Sequence, residues 1–392
     1  MQRLLLASVL ALAVLLTACD AESDASDAGT FERMLAWVPQ EMGHTLHLGD
    51  MAAWREVAGV EAPGGPEGAD DYLITLFEHS QESGVGALQG PWMGVPGFFL
   101  SMPRNDVTFS ARTSKAFGFG LGDFDAVAFR GSVSPPEQWG MVAGNFDREA
   151  ILETLDACDE CQPATEETVA GETVYWWGEE RGGLRFSGRN RSALPLFDDL
   201  GRGGTMAFFD DRIIRTLGID LMEQTLTGPM LAEDEQWLRT ARLLDDAGAL
   251  YAQFITAPDH TGSMAGFVEQ LGIQQTYAMS EYLPSLDPYE FLAAGGGYED
   301  ESLFTVLALG FEDASTAEAN VDIVRARLEA VPSSAAEGTM PDRGEVFAWP
   351  EPEIVDVRAE GDLVVVRLDG AALGGEYLFA LHTILPGLPE AP

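Results

Sequence analysis

Lysine is almost missing from this chain. Lys115 is the only one, and the 22 Lys and Arg residues face 64 carboxylates, a formal charge of −42 over 392 residues. Nucleic acid is bound through clustered cations that displace counterions from phosphates, so this balance excludes a nucleic-acid partner. It equally excludes docking of a basic patch on an anionic membrane face. Histidine is scarce, with five residues, and cysteine scarcer, with three. After residue 16 no stretch approaches 18 uninterrupted apolar residues, so no spanning helix is expected in the body. The signatures of nucleophile elbows, HExxH metal sites, P-loops and EF-hands are lacking, and no cofactor or metal is expected. Lys115 does not complete a Ser-x-x-Lys pair, because Arg112 stands where the serine would be. Core-forming residues are not lacking: 46% are hydrophobic and 9% aromatic, which excludes disorder throughout.

The first nineteen residues carry an address. Met1-Gln2-Arg3 is a short basic start, Leu4 to Leu16 is apolar, and Leu16-Thr17-Ala18-Cys19 follows directly. This order resembles the leader of bacterial lipoprotein precursors, whose lipobox places a small-residue pair before a cysteine. The resemblance implies cleavage before Cys19, lipid on its sulfur, and a membrane partner reached through that lipid. It implies a body held outside the cytoplasm in the cell envelope; which membrane is left open. Two or three acyl chains anchor stably where one is marginal. Residues 1–18 are then the signal peptide, and 19–30 the lipidated cysteine with an acidic tether of small polar residues.

Cys158 and Cys161 are the remaining cysteines. In a chain exported from the cytoplasm such a pair is a candidate disulfide. The alternative, a thioredoxin-like redox site, needs the first cysteine at a helix N-terminus. Here the pair follows the C-terminal end of a helical stretch, Arg148 to Ala157, with Asp159 and Glu160 between the sulfurs. Both features raise the thiol pKa, and with no histidine nearby zinc is a poor fit.

The body reads as α+β, in two similar halves at 31–200 and 201–392, each a mostly antiparallel sheet with packed helices. Three stretches suggest an internal duplication. Gly43 to Val60 matches Gly203 to Ile219 at Gly43/Gly203, Thr45/Thr205, Asp50/Asp210 and Arg55/Arg215, each read as strand, Asp cap, short helix and Gly stop. Trp139 to Leu155 matches Phe304 to Leu328, an apolar strand followed by an acidic cap and a helix with Ala317, Val321, Val324 and Leu328 on one stripe. Gly171 to Trp177 matches Gly344 to Trp349. A hairpin is predicted over Ile354–Arg358 and Leu363–Leu368, turning at Glu360-Gly361-Asp362. This alternation of elements resembles duplicated bacterial envelope lipoproteins, a likeness that brings no functional residues with it.

No constellation of side chains reads as an active site. His44 and His47 lie three apart on a predicted strand and face opposite sides. Acid pairs such as Asp210-Asp211 and Asp245-Asp246 read as solvated surface in so acidic a chain, and Trp176-Trp177 as one inward and one outward ring. Gly295-Gly296-Gly297 reads as a turn. The acidity is either a surface for cations and basic partners or a solubility trait of a salt-rich habitat. The first expectation is therefore a non-enzymatic envelope lipoprotein, a binding or scaffold module whose candidate partner is an envelope protein and whose ligand is unknown. The alternative is an envelope hydrolase or ligand-binding enzyme with its site in a cleft between the halves.

Overall fold

The computed structural model describes residues 28–40, 45–61, 118–119, 121–130, 139–157, 164–178, 181, 204–256, 286–300, 302–329 and 353–370. The first of these residues form helix α1 (Thr30–Leu35), strand β1 (Thr45–Asp50), α2 (Met51–Ala58), β2 (Phe124–Arg130), β3 (Trp139–Gly144) and α3 (Arg148–Asp156). There follow β4 (Thr165–Val169), β5 (Glu172–Trp177), β6 (Gly204–Phe208), β7 (Arg212–Thr216), α4 (Ile219–Thr227) and α5 (Glu235–Asp246). The last are β8 (Ala249–Thr256), β9 (Phe291–Glu299), β10 (Ser302–Gly310), α6 (Ala314–Glu329), β11 (Glu353–Glu360) and β12 (Leu363–Asp369).

Aspartates start α2, α3 and α6. The carboxylate of Asp50 accepts from the Ala53 amide at 2.8 Å, that of Asp147 from Ala150 at 3.0 Å, and that of Asp313 from Thr316 at 2.8 Å. Each satisfies an amide that the first helical turn leaves without a partner. Gly59 ends α2 in the left-handed region at φ +66. The β4–β5 turn puts Ala170 at φ 52 and Gly171 at φ 91, the positive pair that a two-residue hairpin requires.

The twelve strands among the described residues lie in one antiparallel sheet, ordered β11-β12-β10-β9-β8-β1-β2-β3-β7-β6-β5-β4. β1 and β8 pair within it, with Leu48 opposite Ala252, leaving four strands beyond β8 and six beyond β1. Outward from that pair, each side runs three strands, a helix (α3 or α6), and a hairpin whose second strand lies inward, and each side begins with a helix (α1 or α5). One side differs by β6 and β7, which stand between β3 and β5, and by α2 and α4, which have no counterpart on the other side among the described residues.

One face of the sheet carries a continuous core under α1, α4 and α5, including Phe31, Leu35, Met141, Leu244, Phe254 and Phe304. Trp237 stacks on Phe254 with centroids 4.9 Å apart. On the opposite face the core divides. Trp54, Phe124, Val142 and Phe208 lie in the cluster of α2 and α3. Leu307, Leu309, Val324 and Leu328 lie in that of α6.

The expected mixed α and β content and antiparallel pairing are present, but the expectation of a sheet for each half is corrected: the strands form one sheet. The join is backbone, with Leu46 to Gly49 in register with Phe254 to Tyr251. Residues 203–219 also differ from the expected strand and helix. Residues 204–216 form the β6–β7 hairpin, in which Ile213, Ile214 and Thr216 pair on both sides and β-branching favours the extended chain. Asp210 and Asp211 lie at its turn, Arg215 is buried in a strand where Arg55 is on a helix, and Gly218 precedes α4 instead of ending a helix. Gly295 to Gly297 is strand, not turn. A Cβ on Gly295 would stand 2.7 Å from Leu244 Cδ2, and one on Gly297 2.2 Å from Phe304 Cζ, so bare backbone lets α5 and the Phe304 ring close on the sheet. The predicted Ile354–Leu368 hairpin is present as β11 and β12, with Gly361 at φ +65. Residues 344–349, expected to match β5, lie outside the described residues.

Candidate functional site

The anchoring reading depends on Cys19, which lies outside the described residues, and on how the chain after it enters the fold. Helix α1 is only six residues long, too short to hold itself in water. Its hold is tertiary. Phe31, Met34, Leu35 and Val38 are 0–1% exposed, and burial of each such side chain stabilises by about 1.5–3 kcal/mol. Asp245, at the end of α5, accepts from the Phe31 amide at 2.9 Å and the Glu32 amide at 3.0 Å. A residue 213 positions away in sequence thus supplies the N-terminal cap that Gly29 cannot. A Cβ on Gly29 would stand 2.2 Å from Asp245 Cγ, so glycine is what lets the carboxylate close in. Burial raises the Asp245 pKa, against the opposing pull of the two amides, and nearby Asp50 adds to the rise. Arg242 bridges to Glu32 at 2.6 Å, and Arg33 donates to the Ala28 carbonyl at 3.0 Å. The chain after α1 is also tied down: Val38 accepts from the Leu231 amide at 2.8 Å, and the Gln40 amide donates to Pro229 at 2.9 Å.

On the opposite face, the β1–β8 seam carries a polar pair. His47 points at Tyr251, its Nδ1 2.5 Å from the phenolic oxygen, and stacks on Phe129 at 4.3 Å and 1°. The ring is partly buried and desolvation pushes its pKa down to about 4; burial pushes the Tyr251 phenol up. At neutral pH the phenol therefore keeps its proton and the imidazole is uncharged, so the bond joins two neutral groups, with the ring tautomer setting which one donates. A base this weak takes few protons at pH 7, and the pair acts as a hydrogen bond across the seam. The junction between the two sides is a paired strand couple, covered on one face by α1 and α5.

Cys158 and Cys161 lie outside the described residues, directly after α3, whose Arg148–Asp156 span agrees with the helix read from sequence. His44, His79, His260, His382 and Lys115 also lie outside them. Trp176 and Trp177 point to opposite faces, Trp177 buried and Trp176 partly so. The acid pairs separate in role: Asp211 pairs with Arg212 at 2.8 Å, and Asp245 holds α1. Among the described residues no three His, Cys, Asp or Glu side chains gather as a metal would need, and no helix is long and apolar enough to cross a membrane. Neither the clamp at Asp245 nor the His47–Tyr251 bond has a local signal, because each joins residues more than 200 positions apart.

No protein-family model and no curated protein matches this chain. Among solved structures, crystal form III of TP0453 is similar at 10% identity over 88% of this chain and 97% of its own, with a TM-score of 0.35. Crystal form I of the same protein gives 10% identity over 90% and 96%, with a TM-score of 0.34. Scores this low carry neither fold nor function to this chain.

Proposed function

We propose that this chain is a lipid-anchored lipoprotein of the bacterial envelope whose body is a non-catalytic binding or scaffold module. The observation that carries the reading is the leader: a basic start, an apolar stretch and Leu16-Thr17-Ala18-Cys19, in that order and spacing. The body supports it in two ways. Its first helix is packed into the core and clamped by Asp245, a joint suited to a chain held from its N-terminal side. Its halves join through backbone pairing of β1 with β8, a continuous sheet suited to a scaffold.

The body is in this reading an internally duplicated fold, in a register different from the one first drawn. Helix α1 with β1 to β5 corresponds to α5 with β8 to β12, and α3 corresponds to α6. The hairpin β6–β7 and helix α4 then lie between the two copies in sequence, with β6 and β7 entering the sheet between β3 and β5, and α2 has no counterpart among the described residues. The repeated order of elements on the two sides of the β1–β8 pair supports this. Matching the two backbones over these elements, with β6, β7 and α4 left out, tests it, and failure to superpose would remove the duplication.

The anchor is tested by labelling cells with radioactive palmitate and fractionating them. Wild-type protein should take up label and sediment with membranes, and Cys19→Ala should lose both properties. A Cys19→Ala protein that still fractionates with membranes would sink the anchor. Crosslinking in intact envelopes followed by capture of the chain identifies the partner.

A further inference from the structure

We infer that the membrane-facing end of this protein is one rim of the sheet, the end where α1 begins, α5 ends and β1 runs into α2. The inference rests on the anchored reading above and adds to it an orientation and a surface. Ten residues, eleven chain steps, separate Cys19 from Thr30, so the lipid-bearing atom lies at most about 40 Å from the start of α1, however the intervening chain is arranged. Helix α1 does not peel away to lengthen that reach, because four side chains fully inside the core and the Asp245 carboxylate hold it. Ala247 and Gly248 turn α5 directly into β8, which places the end of α5 at the rim where β8 starts. The antiparallel register brings the end of β1, the β6–β7 turn and the β9–β10 turn to the same rim. The beginning of α5 is at the opposite rim, where Gln236 donates to the Phe311 carbonyl after β10.

The chemistry of this rim defines how it meets the bilayer. Asp50, Asp210, Asp211, Asp245, Asp246 and Asp300 lie along it, and the cations there are already engaged: Arg33 by the Ala28 carbonyl, Arg242 by Glu32, Arg212 by Asp211, Arg55 by Asp125 and the Phe124 carbonyl, and Arg367 by Glu299 and Asp369. An anionic head-group layer repels such a surface within a Debye length. The partner is thus a bilayer approached at a distance set by the tether and by repulsion, with the opposite rim presented outward.

The test uses the full lipidated protein in vesicles of phosphatidylethanolamine and phosphatidylglycerol containing an acceptor-labelled lipid. A donor dye is carried on a genetically encoded unnatural residue at Asp246 in one preparation and at Glu235 in another, both exposed positions. Energy transfer to the bilayer should be stronger from 246, by a height difference of up to about 16 Å along α5. Transfer from 246 should rise as salt screens the repulsion. Equal transfer, or stronger transfer from 235, overturns the orientation, and transfer from 246 that salt leaves unchanged overturns the repulsion. Flotation of each preparation with the vesicles is scored separately. Protein that does not float refutes the anchor itself, whereas floating protein with the wrong order of transfer refutes only the orientation.

Discussion

Acid should weaken this protein through His47. The ring is held between Phe129 and Tyr251, and burial lowers its pKa to about 4 from the 6.5 of an unfolded chain. Between those values the unfolded chain binds the proton and the folded one does not. The His47 contribution is therefore fully present above pH 6.5 and is lost as pH falls toward 4. At 1.36 kcal/mol per pKa unit the whole window amounts to about 3 kcal/mol, of which about 2 kcal/mol is gone by pH 5. The 64 carboxylates also titrate on acidification, so the wild-type slope alone does not isolate one ring. His47→Asn isolates it: the amide does not titrate, and its oxygen can still accept from Tyr251. Urea unfolding of both proteins at pH 7 and pH 5, at one fixed ionic strength, should show wild type losing about 2 kcal/mol more than the variant. Parallel losses would refute the reasoning, as would an NMR titration that places the His47 pKa near 6.5.

Two further substitutions probe joints of the fold. Gly297→Ala puts a methyl 2.2 Å from Phe304 Cζ and 2.6 Å from the Gly248 carbonyl oxygen, so the urea midpoint should fall by an amount equal to about 1–3 kcal/mol; an unchanged midpoint means the strand gives way freely. Asp245→Ala removes the acceptor of two backbone amides and should cost about 1–3 kcal/mol. Hydrogen exchange at Phe31 and Glu32 should accelerate, with Asp245→Asn intermediate, and unaltered exchange at those amides would remove the clamp.

Local chemistry was legible where the cause is local. Asp50, Asp147 and Asp313 cap their helices because a short carboxylate reaches an amide three residues on. Gly361 turns the β11–β12 hairpin because glycine accepts positive φ. Of the predicted stripe, Ala317, Val324 and Leu328 are buried and Val321 is half-buried at its edge, because helical spacing puts them on one face. Misreadings arise where neighbours decide. Gly295 to Gly297 has the composition of a turn, yet the missing side chains make room for Leu244 and Phe304. Residues 203–219 have the grammar of a strand and a capped helix, yet β3 and β5 offer backbone partners on both sides and the segment becomes a hairpin.

The sequence by itself determined the charge, the mixed composition of helix and strand, the local caps and turns, and the leader that proposes an address. Each follows from residues within a few positions of one another. Only the tertiary structure decided that the strands form one sheet, that His47 meets Tyr251, and that Asp245 holds the start of the body. Those contacts join residues about 200 positions apart, and a contact across that separation depends on strand order and register, which no local pattern of residues encodes.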